Sequence, residues 1–218
     1  MIKKIQVVFA LSFALVFSGC ISSPEKQSGY GNDSKGLAYY TVSRNNFYGF
    51  DLLERPTGIP ANAKVQLDSN TSGKKYIFPD TSNVFSVITA YENEGKLTRL
   101  TLGKSHASAS EADKFWQLIL DQAKEAYPRE IVVNSGIGAY IRFANSRDDW
   151  NQQYREFKNT RSMEAFNVGY HKHLSTIAFD QFAGKDGKIF TTIDYITSTY
   201  QAKRGAKTDS LKRKLDSI

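Results

Sequence analysis

Two histidines are the first residues of this 218-residue chain whose spacing points to chemistry. His171 and His173 form an H-x-H pair, and on a β-strand residues i and i+2 point to the same face, so both imidazoles could reach one metal ion. A zinc site needs three or four ligands. Asp180 and Asp194 are candidates, but the spacing does not bring them close. The simpler interpretation is two surface histidines near the start of a strand, and no cofactor is predicted.

A glycine-rich stretch, Asn134 to Gly138, is the second candidate. A phosphate-binding loop needs a helix directly after it and a lysine in register, whereas residues 139–143 continue as a strand-like run. We therefore interpret the stretch as a turn or bulge. The chain has neither a Gly-x-Ser-x-Gly elbow nor a His-Glu-x-x-His pair. A dispersed active site would leave no such trace, because catalytic groups converge in space and not along the sequence.

Basic residues gather near the C-terminus. The cluster consists of Lys203, Arg204, Lys207, Lys212, Arg213 and Lys214. Contact with anionic lipid or with an acidic partner is one interpretation. The preferred one is a solvated helix face, with Leu211 and Leu215 docked on the domain.

The single cysteine, Cys20, follows a segment with the layout of a secretory signal. Residues 2–4 form a short basic start, residues 5–17 an apolar run, and Ser18–Gly19 supplies small residues before the cysteine. The apolar run is too short for a membrane-spanning helix of about 20 residues. The pattern therefore predicts a cleaved export signal.

The stretch Phe17-Ser-Gly-Cys20 resembles the lipobox of bacterial lipoproteins, with Phe17 where that family usually has leucine. The resemblance implies that residues 1–19 are a signal peptide and that Cys20 becomes lipidated. Two or three acyl chains would anchor the protein stably. Ile21 replaces the aspartate that retains enteric lipoproteins in the inner membrane. It implies a periplasm-facing protein of the outer membrane, with the inner membrane and the cell surface as alternatives.

The net charge and the single cysteine limit the kinds of partner and chemistry that we expect. The formal charge is +7, and losing Lys3 and Lys4 with the signal leaves about +5. An exported chain is not expected to bind nucleic acid, so an envelope protein or an anionic surface is the better candidate. With one cysteine, no disulfide can form within the chain, and a lipidated Cys20 leaves no thiol for catalysis or for a metal.

Periodicity divides the mature chain into a tether over residues 20–36, rich in serine and glycine, and one domain over residues 37–218. Strand-like runs cover residues 37–42, 47–53 and 131–143, and hairpins are predicted over residues 64–78, 83–103 and 175–200. The two later hairpins, each near a helix, hint at a duplicated unit, although their residue identity is too low to establish one.

Helices are predicted between the strands. Ser108 and Glu111 form a capping-box pattern, and the helix that follows ends at Pro128 with Trp116 on its buried stripe. A second helix covers residues 148–158, and a short C-terminal helix starts at Thr208 or Asp209. The expected class is α+β: an antiparallel sheet built from hairpins, two main helices packed on one face, and a short C-terminal helix.

These patterns favour a non-enzymatic, lipid-anchored module that binds a protein partner, such as an accessory of envelope assembly or an immunity protein. An envelope hydrolase with a dispersed active site is the alternative. A lipoprotein that binds lipid or a small molecule in an aromatic cavity is the third interpretation.

Overall fold

The computed structural model of the protein describes residues 41–42, 46–127, 131–134, 138–159, 168–184 and 186–215. The predicted signal peptide, Cys20 and the tether lie outside these residues. The described helices are α1 (Ala109–Ala126), α2 (Arg147–Asn159) and α3 (Ser198–Leu215). The described strands are β1 (Thr41–Val42), β2 (Asn46–Phe47), β3 (Phe50–Asp51), β4 (Lys64–Leu67), β5 (Lys74–Phe78), β6 (Val87–Asn93), β7 (Lys96–His106), β8 (Ile131–Asn134), β9 (Gly138–Ala144), β10 (Val168–His171), β11 (Leu174–Ala183) and β12 (Ile189–Thr197).

Ten of these strands form one sheet, in the order β1-β10-β9-β11-β12-β7-β6-β5-β4, with β8 also paired to β9. Only β1–β10 and β10–β9 are parallel among the described pairs. The two-residue turn between β6 and β7 has positive φ at Glu94 (52°) and Gly95 (76°), as a tight hairpin requires. The predicted α+β class, with a large and mainly antiparallel sheet, is confirmed.

Side chains alternate along each strand, so the sheet has two faces. We call the face that holds the main core the core face, and the opposite one, which α3 covers in part through Tyr200, the open face. Leu100 and Leu102 of β7 lie opposite Tyr195 and Ile193 of β12 on the core face, and all four are buried. The short β2–β3 hairpin covers part of this face, where the Phe47 ring stacks on Tyr195 with 4.5 Å between centroids. Arg99, Thr101 and Asp194 alternate with these residues and occupy the open face.

Helix α1 packs on the core face. Its cap follows the predicted pattern: Ser108 Oγ accepts from Glu111 N at 3.2 Å, and Glu111 Oε2 accepts from Ala107 N at 3.1 Å. The aromatic residue of the buried stripe differs from the prediction, because Phe115 is buried and the neighbouring Trp116 is only partly buried. Phe115 meets the His106 ring at 5.3 Å. Ala112, Ile119 and Ala123, which lie on the same predicted stripe as Trp116, are buried, so the helix docks on the expected face with Phe115 as its buried aromatic residue and Trp116 at the margin of the core.

Helix α3 corrects the prediction at the C-terminus. It begins at Ser198 and has 18 residues, whereas the sequence predicted a short helix from Thr208 or Asp209. Thr197 caps it, since its Oγ1 accepts from Tyr200 N at 3.2 Å. Tyr200, assigned to the preceding hairpin by pattern, therefore lies in the first turn of the helix and is buried.

Candidate functional site

The two histidines of the H-x-H pair have different environments in the structure. His171 is fully buried, and its Nδ1 accepts from the backbone N of His173 (3.0 Å) and of Leu174 (2.9 Å). The expectation of two surface histidines is therefore wrong for His171, whose imidazole organises the connection between β10 and β11. Within the described ranges, no group of three or more His, Cys, Asp or Glu side chains is arranged to hold a metal ion.

The basic cluster attaches α3 to the sheet. Lys203 Nζ donates to Asn93 Oδ1 at 2.7 Å and forms an ion pair with Glu94 in the β6–β7 turn. Lys207 Nζ donates to Ser72 Oγ at 3.0 Å in the turn between β4 and β5. Arg204 is exposed. The side chains of Lys212, Arg213 and Lys214 lie outside the described residues. The described lysines thus favour a docked helix over a ligand-binding cluster.

An ion pair links distant parts of the chain on the open face. Arg99 makes a two-pronged contact with Asp194, with Nε–Oδ1 at 3.0 Å and Nη2–Oδ2 at 2.8 Å. The guanidinium lies between the rings of Tyr91 and Tyr200, at 4.6 and 5.3 Å from their centroids. Thr101 Oγ1 donates to the same carboxylate. We call these five residues the Arg99 cluster.

The charges of the Arg99 cluster balance one another. Burial by itself would lower the pKa of Arg99, but the charge and hydrogen bonds of Asp194 outweigh burial and raise it. For Tyr91 the effect of burial is the opposite: burial is the main reason why its pKa is raised, and the charge of Arg99 opposes this. The guanidinium of Arg99 and the carboxylate of Asp194 are paired with each other, so the cluster fixes α3 on the sheet and offers no free charge to a ligand.

A second polar group lies on the core face beneath α1. His106 Nε2 is 3.0 Å from Thr191 Oγ1, and its Nδ1 has no hydrogen-bond partner among the described residues. Lys104 Nζ lies 5.0 Å from the centre of the Phe115 ring. Burial lowers the pKa of both Lys104 and His106.

The distance between His106 Nε2 and Thr191 Oγ1 is one that a general base and its nucleophile could have, but the burial of both residues is not compatible with that role. Thr191 is 0% exposed and His106 is 2% exposed, so a substrate could reach neither atom without opening the core. A group that must attack a bond needs access to it. The pair therefore does not form an active site in this fold.

The last strand of the sheet, β4, has four residues and carries two exposed apolar side chains. Its Val65 and Leu67 side chains are 56% and 69% exposed, and no described strand pairs with the side of β4 that faces away from β5. We call this side the β4 edge. Natural edge strands are commonly short, charged or covered, because an open apolar edge recruits other strands. An exposed apolar pair at such an edge marks a candidate docking site.

The hydrogen-bond register shows which backbone groups the β4 edge offers. Asp68 N donates to Gly73 O at 2.8 Å just after β4. Because bonded and non-bonded pairs alternate along antiparallel strands, Gln66 and Lys64 bond to β5. The N–H and C=O groups of Val65 and Leu67 consequently point outward, on the residues whose side chains are exposed.

The β4–β5 turn holds this edge in place. The buried Asp68 carboxylate accepts from Asn70 N at 3.0 Å and from Thr71 Oγ1 at 2.7 Å. Ser72 in the same turn receives the Lys207 bond from α3 described above. A preformed edge costs less conformational entropy to bind than a flexible one.

No model of a known protein family matches the chain, and no curated protein or solved structure matches it significantly. None of the described helices is long and apolar enough to cross a membrane. Any indication of function must therefore come from the sequence and the structure of this chain.

The sequence predicted the β4–β5 hairpin, but its Lys-Val-Gln-Leu pattern could not show that β4 is the end of the sheet.

Proposed function

We propose that the protein is a periplasm-facing lipoprotein, anchored to the outer membrane through Cys20, whose domain acts without catalysis as an adaptor that binds a protein partner at the β4 edge. The anchor rests on the resemblance of Phe17-Ser-Gly-Cys20 to a lipobox. The binding role rests on the exposed Val65 and Leu67 of a strand whose outer backbone groups have no described strand opposite them.

Strand addition is the binding mode that this edge supports. In that mode an extended segment of a partner supplies main-chain hydrogen bonds to an open edge, while alternate side chains determine specificity. Val65 and Leu67 offer both kinds of contact at the same two residues. The hydrolase alternative has less support, because the hydrogen-bonded pair His106 and Thr191 is enclosed in the core.

The proposal also includes the helix packing predicted from the sequence, with α1 and α2 on one face of the sheet. For α1 the contact of Phe115 with His106 supports it. Helix α2 contacts β9, where Gln153 Nε2 donates to Phe143 O at 3.4 Å. Since β9 and β4 lie far apart in the strand order, a partner at the β4 edge would not meet α2.

The test places a photo-crosslinking amino acid at position 67 of the lipidated protein in its native envelope, with position 124 on the exposed side of α1 as the control site. We expect a discrete protein adduct from position 67 and none from position 124. Adding Val65→Pro should remove the adduct, because proline deletes the outward N–H without breaking a bond to β5. Val65→Thr keeps that N–H and should retain the adduct.

Adducts of equal yield from both positions, or an adduct that survives Val65→Pro in a protein with unchanged melting temperature, would overturn the proposed docking edge. Hydrolysis of peptidoglycan, phospholipid or peptide that disappears in His106→Gln would instead favour the enzyme.

A further inference from the structure

We infer that the β4 edge selects an extended peptide segment in which apolar residues alternate with acidic ones. This inference rests on the proposed function and adds the chemistry of the partner. It follows from the different side chains that flank the edge on the two faces of the sheet. An added strand would place alternate side chains against each of them.

On the core-face side, the side chains of β4 itself are apolar. Val65 lies opposite Tyr76 of β5, which lies opposite Ala90 of the core face. Leu67 occupies the same side of β4, two residues further on, and lies opposite Lys74 of β5, which in turn lies opposite Glu92 of β6. Tyr76 Oη donates to Glu92 Oε2 at 2.6 Å, which raises the pKa of Tyr76 to about 12. On this side the opposite charges of Lys74 and Glu92 lie on neighbouring strands and balance one another, so the partner residues that contact Val65 and Leu67 should be apolar.

The open-face side of the edge is basic. Lys64 of β4 lies opposite Ile77, and Lys75 of β5 lies opposite Gln66 of β4 and Tyr91 of β6. Neither lysine forms an ion pair with any other described residue. Further into this face, the charge of Arg99 is already balanced by Asp194. Oppositely charged residues on neighbouring strands stabilise a sheet, so the partner residues on this side should be acidic.

A second copy of the chain fits the edge less well. Pairing two β4 strands would bring two sets of Lys64 and Lys75 onto one face, and like charges on adjacent strands destabilise their pairing. The chain's own residues 21–36 contain Pro24 and several glycines and do not alternate apolar with acidic residues. The occupant that satisfies both sides of the edge is therefore an acidic, apolar segment of another protein.

The experiment measures fluorescence anisotropy of three labelled ten-residue peptides with the full mature lipoprotein in detergent. Valine alternates with glutamate in the first peptide, with lysine in the second and with glutamine in the third. We expect the glutamate peptide to bind at least tenfold more tightly than the lysine peptide, and the difference to shrink at high salt. The double variant Lys64→Glu/Lys75→Glu should reverse the preference.

Two control variants test whether the preference depends on charge at the β4 edge and whether binding depends on the edge itself. Lys114→Glu/Lys124→Glu changes the same charge on exposed positions of α1 and should leave the preference unchanged. Val65→Pro should abolish binding of all three peptides. Circular dichroism of each variant verifies folding, and Lys64→Gln/Lys75→Gln, which should equalise the peptides, replaces the glutamate variant if that one fails to fold.

The outcomes distinguish the two proposals. Equal affinity for all three peptides that is lost in Val65→Pro would overturn the charge inference and leave the docking edge standing. If no peptide binds, or if binding is unaffected by Val65→Pro, the docking edge fails as well. Dimerisation that Val65→Pro abolishes would identify a second copy as the occupant and overturn the inference.

Discussion

Arg99 and Asp194 are 95 residues apart in the chain and meet in a two-pronged contact on the open face. The side chains are only 18% and 11% exposed, so each charge depends on the other for its solvation. Tyr200 of α3 closes the contact by accepting from Arg99 Nη1 at 3.2 Å. At the scale of single residues, the open-face charges that look most reactive are used to hold α3.

The first prediction concerns this ion pair. Arg99→Met leaves the Asp194 carboxylate without its partner, and we expect the free energy of unfolding to fall by about 3 kcal/mol. The double variant Arg99→Met/Asp194→Leu removes both charges and should recover most of that loss. Urea unfolding of the wild type, Arg99→Met, Asp194→Leu and the double variant measures the free energy of unfolding of each. A double variant as unstable as the sum of its singles would show that the charges are not coupled.

The second prediction concerns His106 and pH. Burial lowers the pKa of His106 from its usual 6.5; the charge of Glu111 opposes this and that of Lys104 reinforces it. Below pH 6.5 the unfolded chain therefore binds a proton that the folded protein does not. Stability is present above that pH and is lost as the pH falls towards the lowered pKa, with a slope of up to about 1.4 kcal/mol per pH unit.

His106→Gln should flatten this loss of stability between pH 7 and 5, measured as melting temperature against pH. Burial, and to a lesser extent the charge of Lys172, also lower the pKa of His173. Because His173 is more exposed than His106, His173→Gln is the matched control and should flatten the profile less. Identical profiles for the wild type and His106→Gln would contradict the buried neutral imidazole.

At the scale of elements, α1 has the cap and the buried face that the sequence predicts, but its fully buried aromatic residue is Phe115 and not Trp116. Its cap at Ser108 follows from the sequence, but Phe115 and Trp116 are neighbours about 100° apart around the helix axis. Both are large aromatic residues, so hydropathy alone favours neither. The sheet decides between them, because Phe115 fits between His106 and Lys104.

The third prediction compares these two aromatic residues. Phe115→Ala should lower the free energy of unfolding by about 3–5 kcal/mol, as truncation of a large buried aromatic residue does. Trp116→Ala should cost less than half as much, because part of its ring stays in water in the folded protein. Chemical denaturation of both variants measures the difference. A larger loss for Trp116→Ala would show that Trp116, and not Phe115, is the main aromatic residue in the core.

At the scale of the whole molecule, one sheet runs from β1 to the β4 edge. The proposed anchor precedes this domain by a tether of about sixteen residues, which could reach some tens of ångströms. A rigid edge on a tethered domain suits a module that searches for partners near a membrane.

The fourth prediction concerns the anchor. Cys20→Ser should abolish incorporation of a palmitate analogue and leave processing blocked or rerouted, because the proposed lipid is attached to the thiol that this change removes. Metabolic labelling of both proteins in a bacterial host measures this, with Ser18→Ala as a variant that keeps a small residue before Cys20 and should label normally. Equal labelling of Cys20→Ser and the wild type would disprove the anchor.

The amino-acid sequence alone was enough to predict α1 and the strands of the large hairpins. The capping residues predicted α1, alternation predicted the strands of the large hairpins, and turn residues such as Gly95 marked their ends. These features depend on residues a few positions apart, whose interactions are visible along the chain.

The order of the strands and the surfaces that stay exposed follow from tertiary contacts, which the sequence does not display. The pairing of β12 with β7 brings Asp194 to Arg99, and the contacts of Tyr200 and Lys203 with the sheet stabilise α3 from Ser198, where the sequence shows no helical periodicity. The end position of β4 exposes Val65 and Leu67, although their pattern matches that of a half-buried strand. Such pairings join residues far apart in the sequence, and their free energy depends on the whole sheet, so no local pattern could report them.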